Sequence, residues 1–342
     1  MLRTGLKKTL LACSLVALLL SSMTACGKEQ PQLASDKINI VASFYPLYDF
    51  AQAVGGSRVH VINMVPAGVE PHDWSPKSRD IQTLTKADLF LYLGAGFEGW
   101  VGDTLGSLKS DVKVKPVEAS HGIELIPGTE DEHGHEDESK DAHGHKDEHK
   151  DSHGHKDEHK SKEDEHDHGS MDPHVWLSPL KAKQMALNIK DALVEVDGAG
   201  KAEYEANYKQ LEGKLDALHE KYKTELAKTK KKEIVVTHQS FGYLAHEYGL
   251  TQMAIMGLAP DAEPTSREMK NILAFIREHE VKYIFFEELI SDKLAKTLAG
   301  DAGVETLVLS PLEGITEEQL RNGDNYITIM ESNLNNLLKA LQ

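Results

Sequence analysis

The chain has 342 residues, 27% of them charged, and a formal net charge of −17. That length suffices for two domains of ordinary size, each with its own core. With 38 Lys and Arg against 55 Asp and Glu, and no basic stripe, nucleic acid is excluded as a partner, whereas cations suit the charge balance.

In chain order, Arg3, Lys7 and Lys8 precede an apolar run from Thr9 to Leu20, too short to span a bilayer as a stable anchor. The run ends in Ser21-Ser22-Met23-Thr24-Ala25-Cys26-Gly27. Small residues before a Cys look like a bacterial lipoprotein signal, with Met23 where Leu is usual. Residues 1–25 are therefore expected to be a signal peptide and Cys26 the lipidated first residue of a protein held at the extracytoplasmic face of the cell membrane. Residues 26–35 are then a polar tether. Cleavage would remove Cys13 and leave one Cys, so no disulfide forms and a metal must be held by His and carboxylates.

Strand and helix patterns alternate next. Strands are predicted at Lys37–Ser43, Arg58–Val65, Asp88–Leu93 and Val112–Val117, with helices at Tyr48–Val54, Ser78–Ala87 (capped by Ser78) and Phe97–Leu105. A second set has strands at Glu233–Thr237, Gln252–Met256, Lys282–Phe286 and Glu305–Leu309. Its helices are predicted at Phe241–Tyr248, Thr265–His279, Asp292–Ala299 and Thr316–Leu341, with a Thr265/Glu268 capping box on the second of them. Between the sets, a helix at Pro179–Val194 is followed by Tyr204, Tyr208, Leu211, Leu215, Leu218, Tyr222 and Leu226, one apolar stripe on a helix about 45 Å long. The fold class is α/β: two lobes, each a four-stranded parallel sheet flanked by helices, joined by one long rigid helix. The expected boundaries are 36–198, 199–230 and 231–342, with a His-rich loop at 121–170 inside the first lobe.

Residues 128–170 carry one apolar side chain, Ala142, and ten histidines: His133, His135, His143, His145, His149, His153, His155, His159, His166 and His168. Three successive decapeptides, DEHGHEDESK, DAHGHKDEHK and DSHGHKDEHK, make up most of it. Such a stretch cannot bury a core, so it is expected to lack fixed structure, and it concentrates imidazole and carboxylate donors. It is read as an auxiliary, weaker set of metal sites that captures or buffers ions, in competition with a neutral insertion.

Outside it, three histidines sit in loops beside predicted elements. His72 lies in GVEPHDW after the second strand, His174 in DPHVW, and His238 in VVTHQSFGY at the end of the first strand of the second lobe. Ligands of open α/β sheets collect beyond the carboxyl ends of strands, so His72 and His238 could face each other across a cleft. Glu313 follows the last strand of the second lobe in the same topological place. Three imidazoles and a carboxylate suit tetrahedral Zn²⁺ better than Mn²⁺, which favours more oxygen. Asp73 and Asp172 are candidates to fix imidazole tautomers, and Phe44, Tyr45, Trp74, Trp176 and Phe241 to wall the cleft, with plain core packing the alternative. His60 reads as structural or exposed, and His219, His246 and His279 as solvated helix residues.

These boxes, with the lipoprotein signal and the rod helix, resemble the zinc-specific solute-binding lipoproteins of ABC importers over residues 36–342. The resemblance implies ligands at His72, His174 and His238, with Glu313 at the fourth position and Glu70 or water as the fallback there, as in some zinc-binding members; His238 stands where manganese-binding members usually carry Glu. It implies a monomeric, non-enzymatic zinc receptor that delivers its ion to a membrane permease driven by a cytoplasmic ATPase. A manganese receptor, a zinc hydrolase and a surface storage or adhesion protein are the alternatives. The hydrolase lacks support from any HExxH or GxSxG motif.

Overall fold

A computed structural model describes residues 33–108, 112–128, 171–260 and 263–342. Cys26 and the ten histidines from His133 to His168 lie outside the described residues, and with them the signal-peptide, lipidation and auxiliary-metal readings. No helix among the described residues is long and apolar enough to cross a membrane.

The elements run β1 (Ile38–Ala42), α1 (Tyr45–Gly55), β2 (Val59–Asn63), α2 (Ser78–Leu84), β3 (Leu89–Tyr92), α3 (Val101–Ser107) and β4 (Lys115–Glu118). A 3₁₀ turn (Val175–Leu177) then leads into α4 (Pro179–Val196) and α5 (Lys201–Ala227). The second set is β5 (Glu233–Val236), α6 (Gly242–Tyr248), β6 (Thr251–Ala254), α7 (Ser266–Glu278), β7 (Tyr283–Phe286), α8 (Lys293–Ala302), β8 (Glu305–Val308), α9 (Glu317–Asn322) and α10 (Tyr326–Ala340). Two four-stranded parallel sheets result, ordered β2-β1-β3-β4 and β6-β5-β7-β8. In each, the order reverses beside the first strand, which opens a crevice at the strands' carboxyl ends.

The expected α/β architecture is present, and its details differ for local reasons. α1 begins at Tyr45 rather than Tyr48 because Pro46 is pre-set for a helical first turn. Ser78 does not cap α2: Lys77 holds that position, and its N–H donates to Asp80 at 2.8 Å. α3 starts only at Val101. Gly94, Ala95 and Gly96 all have positive φ, and the Glu98 carboxylate folds back to accept from the N–H groups of Leu93 and Gly94. The single helix expected from Thr316 to Leu341 is two: Gly323 at φ 76° ends α9, and Asn325 caps α10 by accepting from the N–H groups of Ile327 and Thr328. The Thr265/Glu268 capping box is present.

The rod helix α5 has 27 residues, about 40 Å. Its stripe of Tyr204, Leu211, Leu215, Leu218, Tyr222 and Leu226 is buried. It packs on α4 and α1 and also on α10. Consequently one continuous apolar core contains Ile40 and Leu91 of the first sheet together with Ile234 and Phe285 of the second. Alternate residues of β5 point to opposite faces, so Val235 enters a separate core with Ile272, Ile284 and Leu298. A shared core of this kind resists wide opening between the sheets.

Candidate metal centre

His72 lies in the loop after β2, His238 follows β5, and Glu313 lies in the loop after β8. His174 sits on the short strap before the 3₁₀ turn. The fold gathers all four: one ligand atom from each lies within 4.8 Å of the others. The imidazole centroids are 5.4 Å apart for His174 and His238, and 6.0 Å from His72 to each of them. Every Nε2 faces Glu313 Oε1, at 3.0 Å from His174, 3.1 Å from His238 and 3.4 Å from His72. His174, His238 and Glu313 are at most 1% exposed, whereas the His72 side chain is 14% exposed and is the open side of the group.

Carboxylates behind the rings set the tautomers. Asp172 Oδ1 lies 2.8 Å from His174 Nδ1 and also accepts the His174 N–H at 2.9 Å. Glu287 Oε1 lies 2.7 Å from His238 Nδ1 and accepts a hydrogen bond from the Thr237 hydroxyl. With Nδ1 protonated toward these carboxylates, each Nε2 offers its lone pair to the centre. Asp172 thus occupies the place expected of it; Asp73 is exposed and has no such place. Glu287 went unrecognised, since a Glu-Glu pair after a strand reads as ordinary surface.

The electrostatics follow from burial and charge together. Burial disfavours the cationic form of His174 and His238, but the carboxylates outweigh it. Asp172 and Glu313 raise His174, and Glu287 and Glu313 raise His238 well above the ordinary imidazole value. Burial would raise Glu313, yet His238 and His174 hold it well below the usual carboxylate range. Burial first, then the neighbouring Glu313, push Glu70 up to about 9. Glu70 accepts the His72 N–H at 3.2 Å and lies outside the converging four.

The His174 strap is tied to the second half of the chain. Tyr243 donates its hydroxyl to the Asp172 carbonyl at 2.7 Å, Tyr326 does the same to the Trp176 carbonyl at 2.5 Å, and the Trp176 indole donates to the Pro311 carbonyl at 2.7 Å. Residues 121–128, assigned to the His-rich insertion from sequence, run into this anchor: Ile126 donates its N–H to Tyr243, and Pro127 bridges Met171. Buried Asn333 accepts from Ser310 N and donates to its carbonyl, which steadies the Glu313 loop.

Phe97 packs edge-on to His72 and His174 at 5.0 and 6.3 Å, and Trp176 lies 5.2 Å from His174. Phe44 supports both aromatics, and Trp74 lines the mouth beside His72. Phe97 was absent from the expected wall. Tyr45 is not part of it either: its hydroxyl reaches the Asp324 carbonyl, while Phe241 is core. Of the remaining histidines, His246 is exposed, but His219 contacts the Tyr248 hydroxyl at 3.1 Å and His279 packs against Phe275 with the rings tilted at 44°, so these two are packed rather than simply solvated.

Comparison with known proteins agrees with this geometry. Residues 40–340 match the family described as zinc-uptake complex component A, periplasmic. The zinc-binding protein AdcA of Streptococcus pyogenes serotype M3 is 38% identical over 97% of this chain, which spans only 61% of that relative's length. The high-affinity zinc uptake system protein ZnuA of Bacillus subtilis is 38% identical, with 93% of each chain covered. Among solved structures, the Zn(II)-bound ZnuA-like domain of Streptococcus pneumoniae AdcA superposes with a TM-score of 0.70 at 35% identity, covering 89% of this chain and 99% of that one. The laminin-binding protein of Streptococcus agalactiae, titled a bifunctional protein with adhesin and metal-transporting activity, gives 0.73 at 28% identity, with 89% and 100% covered. The chain belongs to the family of zinc-uptake complex component A proteins.

Proposed function

We propose that this chain is a high-affinity zinc receptor that captures Zn²⁺ between lobes spanning 36–198 and 231–342 and passes it to an ABC import permease. The ligands are Nε2 of His72, His174 and His238 and Oε1 of Glu313. The observation that carries this is the convergence of three imidazole nitrogens on one carboxylate oxygen, each buried ring backed by its own carboxylate. An N₃O set at four-coordination is a zinc donor set; Mn²⁺ favours more oxygen. Four protein donors leave no open position for a reacting water, so binding and release are the function, rather than hydrolysis. Cys26 carries the lipid that holds the receptor at the extracytoplasmic membrane face, and the protein acts as a monomer.

Zinc titration against a competing chelator tests this. The chain takes up one tight Zn²⁺, and His72→Ala, His174→Ala and His238→Ala each weaken it. Tight binding retained in all three variants would overturn the site. Loss of the tight ion on deleting residues 129–170 alone would move the receptor function to the His-rich segment. Mn²⁺ outcompeting Zn²⁺ at equal concentration would overturn the choice of ion.

A further inference from the structure

The turn between β3 and α3 brings Phe97 to the metal centre, and its backbone needs support to do so. Gly94, Ala95 and Gly96 have φ of 84°, 55° and 81°, and at Ala95 a side chain makes that region costly. Glu98, the residue after Phe97, braces the turn from inside. Its Oε1 accepts the Leu93 N–H at 2.7 Å and the Ser43 hydroxyl at 2.5 Å, and its Oε2 accepts the Gly94 N–H at 3.2 Å. Ser43 follows β1 directly and is fixed there by its own N–H, which donates to the Leu91 carbonyl at 2.9 Å. Phe44 comes next in the chain, and its ring meets that of Phe97 at 4.7 Å. The Ser43–Glu98 hydrogen bond and the Phe44–Phe97 contact are therefore two neighbouring ties between the turn and the end of β1.

An ion held by buried ligands leaves when water or another acceptor takes the place of one of them. His72 is the ligand that solvent reaches, and a cavity lined by Ser43, Phe44, His72, Trp74, Phe97 and Glu98 adjoins it. Its ring must turn to release the ion, and the Phe97 ring stands edge-on against it at 5.0 Å. We infer that Glu98 is a positioning residue for metal exchange: by tying the Gly94–Phe97 turn to Ser43 it keeps the Phe97 ring against His72, and so sets how fast the ion enters and leaves. Glu98 is not one of the four converging donors; it acts through the ring beside it in the chain. A group that sets the height of a barrier changes entry and release together, whereas one that strengthens the bound state changes mainly release. The inference rests on the ligand set proposed above.

Stopped-flow exchange on the full chain tests it, with Zn²⁺ release into excess chelator and association with free Zn²⁺ measured separately. In Glu98→Gln either orientation of the amide sets its N–H₂ against a backbone N–H, of Leu93 or of Gly94. Release is expected to speed up about tenfold, the scale of one hydrogen bond to a charged group. Association speeds up with it, so the dissociation constant changes much less than the release rate. Ser43→Ala removes one donor and little volume, and moves both rates the same way by a smaller factor. In a Phe97→Ala background, Glu98→Gln adds no further acceleration, since the ring it positions is gone. Metal-free thermal unfolding identifies the folded variants; where Glu98→Gln is not among them, Ser43→Ala carries the test. Wild-type rates in the folded variants overturn the inference. So does an equal acceleration in the Phe97→Ala background, or faster release with unchanged association. A wild-type chain that binds no tight Zn²⁺ removes the ligand set instead. Amide hydrogen exchange at Leu93 and Gly94 in the metal-free protein, faster in Glu98→Gln if Glu98 fastens the turn, tells that failure from a failure of the brace itself.

Discussion

The Trp176 indole donates to the Pro311 carbonyl at 2.7 Å, joining the strap that carries His174 to the loop that carries Glu313. Both groups are buried, so a lost bond leaves an unsatisfied carbonyl at a cost of about 1–3 kcal/mol. Trp176→Phe keeps a ring against Phe44 and Phe97 but removes the donor. It is expected to lower the unfolding midpoint and to weaken zinc binding, read by thermal unfolding and chelator competition. An unchanged affinity would show that the strap and the loop hold their positions without this bond.

Glu287 should matter to zinc without touching it. Its Oε1 takes the Nδ1 side of His238 and the Thr237 hydroxyl, which points Nε2 toward Glu313. Glu287→Gln can present its amide N–H₂ to Nδ1 and favour the wrong tautomer. The expected result is a 10–100-fold weaker Zn²⁺ affinity. Wild-type affinity in a folded variant would refute this orienting role.

Zinc affinity should fall with acid, and binding should release protons. In the metal-free site the carboxylates raise His174 and His238 against the effect of burial, so these imidazoles hold protons at higher pH than free histidine does. Only neutral imidazole binds metal. Each proton displaced costs about tenfold in affinity per pH unit below the raised value. Chelator competition from about pH 8 to about pH 5.5, with calorimetry in buffers of different ionisation enthalpy, measures both slope and proton count. A flat profile with no proton release would contradict the raised values.

Sequence alone carried the two βα sets, the rod helix and the four converging residues, because these are written in local signals: apolar runs, a helical stripe, and loop residues at strand ends. His72, His238 and Glu313 stand where open sheets place ligands, although they lie far apart in the chain. The supports were less legible. Glu287 and Phe97 act through contacts that the tertiary fold creates, and nothing in their local sequence distinguishes them from surface acid and core aromatic. The Tyr243 and Tyr326 hydroxyls that hold the His174 strap come from helices more than 60 positions further along the chain. The break between α9 and α10 was readable in Asn322-Gly323-Asp324-Asn325, a run of turn formers, but the apolar period on either side masked it.

Asp49 gives the body of the protein its own pH dependence. It lies on α1 and accepts the Tyr326 N–H at the start of α10 at 3.1 Å. Burial raises its carboxyl to about 6 from 3.8, outweighing that hydrogen bond. Because the folded value is the higher one, folding favours the protonated form. The associated stability is fully present below the unfolded value and is lost as pH rises through about 6. Its size is about 1–3 kcal/mol, allowing for the partial exposure of the side chain. Asp49→Asn keeps an acceptor for Tyr326 and removes the charge. The variant should be more stable than wild type at about pH 8, with the gap closing toward about pH 4. Denaturant unfolding of both proteins across that range decides it, and a gap that is constant with pH would place the effect in packing rather than charge.

Gly314 offers a steric test of the contact beside the centre. A Cβ there would fall 2.6 Å from Leu289 Cδ1, the end of a side chain that can turn away, and 3.3 Å from the Val69 carbonyl, which is backbone and must shift by a few tenths of an ångström. Gly314→Ala should therefore fold, with a loss of about 1–2 kcal/mol in stability. The same shift moves the Val69–Pro71 stretch away from Glu313, and His72 follows Pro71 directly in the chain. Zinc affinity should drop several-fold more than stability alone explains, since His72 and Glu313 sit on the two loops being separated. Dissociation should account for most of the change, because the loosened ligands release the ion sooner. Stopped-flow measurement of Zn²⁺ release to a chelator separates this from a slower association. Release at the wild-type rate would mean that the hydrogen bond from the Gly68 N–H to the Ile315 carbonyl, at 2.8 Å, holds the two loops in register by itself.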